Sequence, residues 1–149
     1  MNQSELTHQD LAALTNASLG KRLAALVYDG FLIVAIWMIS SLALLAVTDS
    51  EDHLQGTAYQ AFLYAELLIF FVYFWSFKGQ TLGMQVWRIM AVQESGRALT
   101  PTQATVRFLI ATPSIACFGL GLLWLLVSPE KTALHDLLSR SRVVQLPKR

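Results

Sequence analysis

Residues 23–47 read LAALVYDGFLIVAIWMISSLALLAV, 25 positions with one charge, Asp29. A helix that crosses the ~30 Å hydrocarbon core of a bilayer needs about 20 apolar residues at 1.5 Å each, so this run is long enough to span. A second run, Ala58–Phe77, has 20 residues and one charge, Glu66. Neither contains a proline, and both predict transmembrane helices. The third run, Phe108–Ser128, carries no charge but includes Pro113, Gly119 and Gly121, which can kink it or break it into two arms. The expected fold class is an all-α integral membrane protein. It has two transmembrane helices, a third kinked or re-entrant apolar segment, and a small interfacial hairpin or helix between the second and third.

The rest of the composition agrees. Of 149 residues, 54% are hydrophobic and 14% charged, where a soluble domain carries about 25% charged residues. Eleven Lys and Arg against ten Asp and Glu give a net charge of +1, which offers nothing to a nucleic acid. The single cysteine, Cys117, excludes an internal disulfide and any Cys-rich metal centre. The expected organisation is a polar N-terminal segment at 1–17, a transmembrane domain at 18–145 and a basic tail at 146–149. In the first segment, Leu6, Leu11 and Leu14 suit one short amphipathic helix beginning near Thr7 and Asp10. No basic stretch leads directly into a short apolar core, so the first run reads as an uncleaved anchor.

The charges set an orientation. Basic residues fall before the first run (Lys21, Arg22), between the second and third (Lys78, Arg88, Arg97, Arg107) and after Ser128 (Lys131, Arg140, Arg142, Lys148, Arg149). The loop at 48–57 has none and carries Asp49, Glu51 and Asp52. The positive-inside rule then puts that loop outside and the N-terminus in the cytoplasm. A simple crossing by the third run places the basic tail outside, against the rule. A run that enters and returns keeps every basic residue inside, and is the path favoured here.

Residues 78–107 hold Gly79-Gln80-Thr81-Leu82-Gly83, then Val86–Val92, then the turn Glu94-Ser95-Gly96. They read as a loop followed by a hairpin with Arg97-Ala98-Leu99 as the return strand, or as an interfacial helix starting near Thr81. Thr100-Pro101 marks a helix start. No internal repeat stands out.

A carboxylate inside a span costs on the order of 2.5–3.5 kcal/mol, so Asp29 and Glu66 are expected to face protein and to find partners. Arg22 lies two turns before Asp29 on the same face and reaches toward it. Seven-residue steps put Tyr59 and Tyr73 on the stripe of Glu66. Counted from the cytoplasmic ends of their helices, the two carboxylates are offset by about 7 Å along the membrane normal. They serve either as ligand or proton-binding groups in sequence, or as independent packing contacts. Near the C-terminus, Leu134-His135-Asp136 offers no metal-ligand spacing, and His8 and His53 have no evident route to it. No nucleophile motif and no phosphate loop occurs, so neither enzymatic activity nor a metal or other cofactor is expected.

Arg22 at the mouth of the first run, Asp29 within it, Gly79-Gln80-Thr81-Leu82-Gly83 after the second, Gly96-Arg97-Ala98-Leu99-Thr100, and Leu134-His135-Asp136 together resemble the RDD family over residues 18–145. That family is named for one arginine and two aspartates, here Arg22, Asp29 and Asp136. The resemblance implies a small bacterial inner-membrane protein that transports an unidentified ligand, with ions exchanged for protons as one suggested form. Ligand or proton binding then falls to Asp29 and Glu66, although Glu66 is outside the name-giving triad. A gate or structural ion pair falls to Arg22 and Asp136. Tyr73, Gly79, Gln80, Thr81, Gly83 and His135 support them. The expected partners are the lipid bilayer and either further copies of the chain or another membrane protein. The alternative is a membrane scaffold in which the same charges lock helix packing.

Overall fold

A computed structural model describes residues 7–48, 54–116, 128–129 and 133–147. Cys117, Gly119, Gly121, Lys131 and the acidic residues of the 48–57 loop lie outside the described residues, as does most of the third run's path. Two helices dominate. Helix α2 (Leu19–Thr48) covers the first apolar run, preceded by the short α1 (His8–Ala13), whose cap is a reciprocal pair between Thr7 and Asp10. Helix α3 (Gly56–Tyr73) covers the second and widens into a π-helical turn at Phe74–Lys78. Only 6% of the apolar window of α2 and 11% of that of α3–Lys78 is buried within the protein. Phe31, Ile39, Ile69 and Phe77 are among the side chains left exposed. Helices so apolar and so uncovered require lipid around them, and the chain is a membrane protein.

At one end of this pair the chain builds a small polar-rimmed layer. Gly79 ends the second helix at φ 68°, where a side chain is disfavoured, and its carbonyl accepts from Ala91 N at 2.8 Å. Helix α4 (Leu82–Val86) follows, capped by Thr81, and then strand β1 (Ile89–Gln93). Helix α5 (Pro101–Ala116) begins where Thr100 caps the Gln103 amide and Pro101 takes the first helical position. Helix α6 (Leu134–Leu138) and strand β2 (Ser141–Gln145) close the chain.

The expected hairpin is corrected in one respect. Both a helix after Thr81 and a strand form, but β1 pairs with β2 from the far end of the chain, antiparallel with Ala91 opposite Val143. Arg97-Ala98-Leu99 turns back only as far as one backbone bond, from Gln93 N to Arg97 O, and one from Gln93 Nε2 to Ala98 O. Pro101 lies close behind and cannot extend a ladder, whereas β2 supplies the β-branched Val143 and Val144, both buried. The polar N-terminal segment is also part of this layer. Asn16 bridges to Val144, Ala17 N donates to Val143 O, and Arg142 Nη2 caps the end of α1 at the carbonyls of Leu11, Ala12 and Leu14.

A repeat that the sequence does not advertise emerges here. Helix α4, Arg88 and β1 have the same lengths and order as α6, Arg140 and β2, and the two strands share one burial pattern. Arg88 and Arg140 are the non-glycine residues with positive φ among those described, at 54° and 49°. Leu82 with Leu134, Arg88 with Arg140, Val92 with Val144 and Gln93 with Gln145 coincide at one constant offset. Ala91 and Val143, which face each other across the sheet, are equivalent positions, so a local two-fold axis passes between them. Four matches over so short a stretch, with different residues at the buried helix positions, leave no detectable sequence signal.

Candidate functional site

The polar core of the molecule is built where the N-terminal parts of α2 and α5 meet α6. Asp136, fully buried, accepts from Arg22 Nη1 at 2.5 Å and lies 2.6 Å from Arg107 Nη1. Its Oδ2 also accepts the Ala133 amide at 3.1 Å, which anchors the start of α6. Arg22 is further held by the carbonyls of Ala17 and Val143, and Arg107 Nη1 donates to Ser141 Oγ at 2.5 Å. The Arg107 guanidinium stacks 5.0 Å over the Trp75 ring. Arg22 and Asp136, paired in the sequence reading, are thus in contact, and the pair is in fact a triad. Arg107 was missed as a member. Its signal was its position, a lone arginine at the mouth of a charge-free run.

Electrostatics in this cluster follow from burial and from two cations sharing one anion. Burial opposes ionisation of Asp136, but Arg107 and Arg22 outweigh it and hold the carboxyl well below the ordinary range. Burial, then the Arg107 charge, pushes His135 down to about 4, so it is neutral at pH 7. The cluster therefore carries a net positive charge: two guanidiniums against one carboxylate.

Asp29 occupies a second polar centre. Its partner is not Arg22 but the start of α4: Oδ2 accepts from Thr81 Oγ1 at 2.5 Å and Oδ1 from the Gly83 amide at 2.8 Å. A side chain at Gly83 would overlap the Ala25 carbonyl and stand 3.0 Å from the Asp29 carboxyl carbon, so glycine is what lets α4 lie on α2. Gln80 Nε2 donates to Ile89 O at 2.8 Å and joins the loop to β1. The loop motif Gly79 to Gly83 is thereby spent on joining the second span to α2 and the sheet.

Glu66 stands apart. It accepts from Ser40 Oγ at 3.0 Å, while Tyr59 meets Ser41 at 2.6 Å. Ser40 lies eleven residues beyond Asp29 on α2, which separates the two carboxylates by about 16 Å along the helix instead of about 7 Å. The shorter figure assumed that both helices start at one level; α2 instead extends by several turns into the sheet layer. Tyr73 is exposed and packs its ring on Phe74 and Phe77, not near Glu66.

The polar ties between α2 and α3, from Trp37 Nε1 to Leu63 O, Ser40 to Glu66 and Ser41 to Tyr59, all lie in the halves of the helices nearer the 48–57 loop. Toward the sheet layer a cavity of about 390 Å³ separates them, lined on one side by Leu26, Asp29 and Ile33 and on the other by Phe71 and Trp75. Phe108 and Ala111 of α5 form a third wall, and Arg22, Arg107 and His135 line the charged end. Among the described residues no group of three or more His, Cys, Asp or Glu side chains is placed to hold a metal ion.

Comparison with curated proteins and with solved structures gives no match. The sequence profile of the RDD family, by contrast, matches residues 16–140, a stretch that contains Arg22, Asp29, Arg107 and Asp136, and on that match the chain belongs to the RDD family.

Proposed function

We propose that this protein is a non-catalytic transport module of the bacterial inner membrane, with its N-terminus in the cytoplasm. Its ligand enters the cavity between α2, α3 and α5, and the Arg22–Asp136–Arg107 triad closes the inner end. The observation that carries this reading is the cavity itself, apolar on three sides and ended by a buried ion-pair cluster drawn from three separate stretches of chain. A cluster that ties three elements together must rearrange before anything passes it, which is the behaviour of a gate. Lys21, Arg22, Arg107, Arg140 and Arg142 all lie on or beside the sheet layer, which supports a cytoplasmic placement of that end. Arg107 and Asp136 flank the third run and touch, which supports a run that enters and returns. With so few spans in one chain, a path through the membrane is completed by further copies or by another membrane protein.

Exchange of a cation for protons is the form the family resemblance implies, and Asp29 is the spanning carboxylate that lines the cavity. The test is an internal pH dye in sealed proteoliposomes, with sodium and then potassium added outside. A proton signal in the wild type that vanishes in Asp29→Asn at matched protein supports exchange. Silence in both, with folded protein in both orientations, rejects it.

The second reading, a scaffold whose charges fix helix packing, is favoured by the complete hydrogen bonding of Asp29 to Thr81 and Gly83. On that reading Asp29→Asn lowers accumulation of the protein or its capture by a partner instead of flux.

A further inference from the structure

The charged end of the cavity is incompletely satisfied. Arg107 Nε, His135 Nδ1 and Trp75 Nε1 are buried and, among the described residues, have no hydrogen-bond partner. All three residues line the cavity, with side chains of Arg107 and His135 4% and 7% exposed. Arg107 Nε and Trp75 Nε1 can only donate, whereas neutral His135, with Nε2 3.6 Å from Asp136 Oδ1, keeps its one proton on that side and leaves Nδ1 an acceptor. A buried donor without an acceptor costs about 1–3 kcal/mol, more when it is charged, so such a group calls for an acceptor beyond the described residues. The local charge points the same way: Arg22 and Arg107 exceed Asp136 by one positive charge, and Asp29 is two turns along α2 from Arg22 with its oxygens engaged by Thr81 and Gly83. Beyond this end the walls are Leu26, Ile33, Leu67, Phe71, Phe108 and Ala111. A small inorganic anion would leave those walls without a partner, and a neutral hydrocarbon would leave the donors without one.

From these features we infer that the cavity binds an anionic amphiphile, a molecule with one acidic head and a medium-length hydrocarbon body. The head accepts from Arg107 Nε and Trp75 Nε1, with any acid proton it keeps donated to His135 Nδ1, while the body lies between α2 and α3. Its size, about 390 Å³, falls within the about 300–1,000 Å³ of small-molecule sites. The gap between α2 and α3 on the side of the sheet layer gives such a molecule a lateral route from the lipid. Gly30 is on this wall, and a Cβ built there meets nothing within 4 Å, so a larger residue would project into open space without disturbing the helix. This inference rests on the cavity being a ligand site, as proposed above, and not on cation exchange, which centres on Asp29 while the acidic head sits at Arg107 and Trp75.

The test uses the full chain in nanodiscs and follows Trp75 fluorescence as a bromine-labelled medium-chain fatty acid is added, with Trp75→Phe identifying the contribution of that ring. Saturable quenching is expected, displaced by the unlabelled acid but not by the alcohol or the alkylammonium of equal length. Gly30→Leu is expected to abolish it in a protein of unchanged thermal stability, and Arg107→Gln to weaken it by about tenfold, the scale of one charge-assisted hydrogen bond. Equal quenching by a bromine-labelled alkylammonium, or quenching unaffected by Gly30→Leu, marks simple partition into the bilayer and overturns the inference. Binding is read without a gradient, so the two readings separate. Binding with no flux counts against transport and upholds the ligand class, whereas ion flux without amphiphile binding does the reverse.

Discussion

Arg22 and Asp136 come from opposite ends of the chain and meet at 2.5 Å with side chains 5% and 0% exposed. A contact between such distant positions orders everything between them, because neither charge can remain buried without the other. Arg107 shares the same carboxylate, so the three side chains act as one unit.

Removing the anion is therefore expected to be worse than removing either cation. Asp136→Asn leaves two buried guanidiniums without a counter-charge and should cost about 3–5 kcal/mol, while Arg22→Gln keeps the Arg107 contact and should cost less. Thermal unfolding in detergent checks the order. Exchanging Arg22 and Asp136 for each other should not restore stability, since the new arginine would face Arg107; rescue requires Arg107 to become neutral as well.

Gly83→Ala should lower stability by at least about 1–3 kcal/mol, because the added methyl overlaps the Ala25 carbonyl and pushes α4 off α2, breaking the bond from the Gly83 amide to Asp29. The variant's level in membranes and its melting temperature report this. Gly30→Ala, whose methyl meets nothing, should be neutral or slightly stabilising.

Acid should weaken the folded state through His135. Its folded value is held near 4 against 6.5 unfolded, so between these values the unfolded chain binds more protons and stability falls as pH drops. The full effect below pH 4 is on the order of 3 kcal/mol. His135→Gln should flatten the melting temperature between pH 6.5 and 4. Asp136 adds a further loss that begins as pH falls through the ordinary carboxylate range, where the unfolded chain takes up the proton, and continues below it, because its folded value is depressed.

Arg97 and Arg140, both exposed, should be reached from the same side of the membrane if the third run enters and returns. Single cysteines at these positions, in a Cys117→Ser background, would be labelled together by an impermeant maleimide in one orientation of sealed vesicles and protected together in the other. Labelling from opposite sides would establish a simple crossing.

What the sequence could disclose was whatever depends on near neighbours. The spans at 23–47 and 58–77, the cap at Thr7 and the start at Thr100-Pro101 are set by hydropathy or by residues within one helical turn. The partner of β1 was hidden, because β2 is some fifty residues away and nothing local distinguishes it from Arg97-Ala98-Leu99. The partner of Asp29 was hidden for a related reason. A glycine amide made accessible by the absence of a side chain leaves no chemical mark in the sequence, so a distant arginine on the same face looked the better candidate. Arg107 carried a signal, its place at the edge of an uncharged run, but only the fold showed that α5 brings it onto Asp136.

The equivalence of Ala91 and Val143 across the sheet joins two like helix–strand units through like strands. Like frames do not carry like chemistry. One short helix presents a glycine amide to a carboxylate of α2, and the other presents its own carboxylate to two arginines, so the two units offer opposite polarities to the helices they hold.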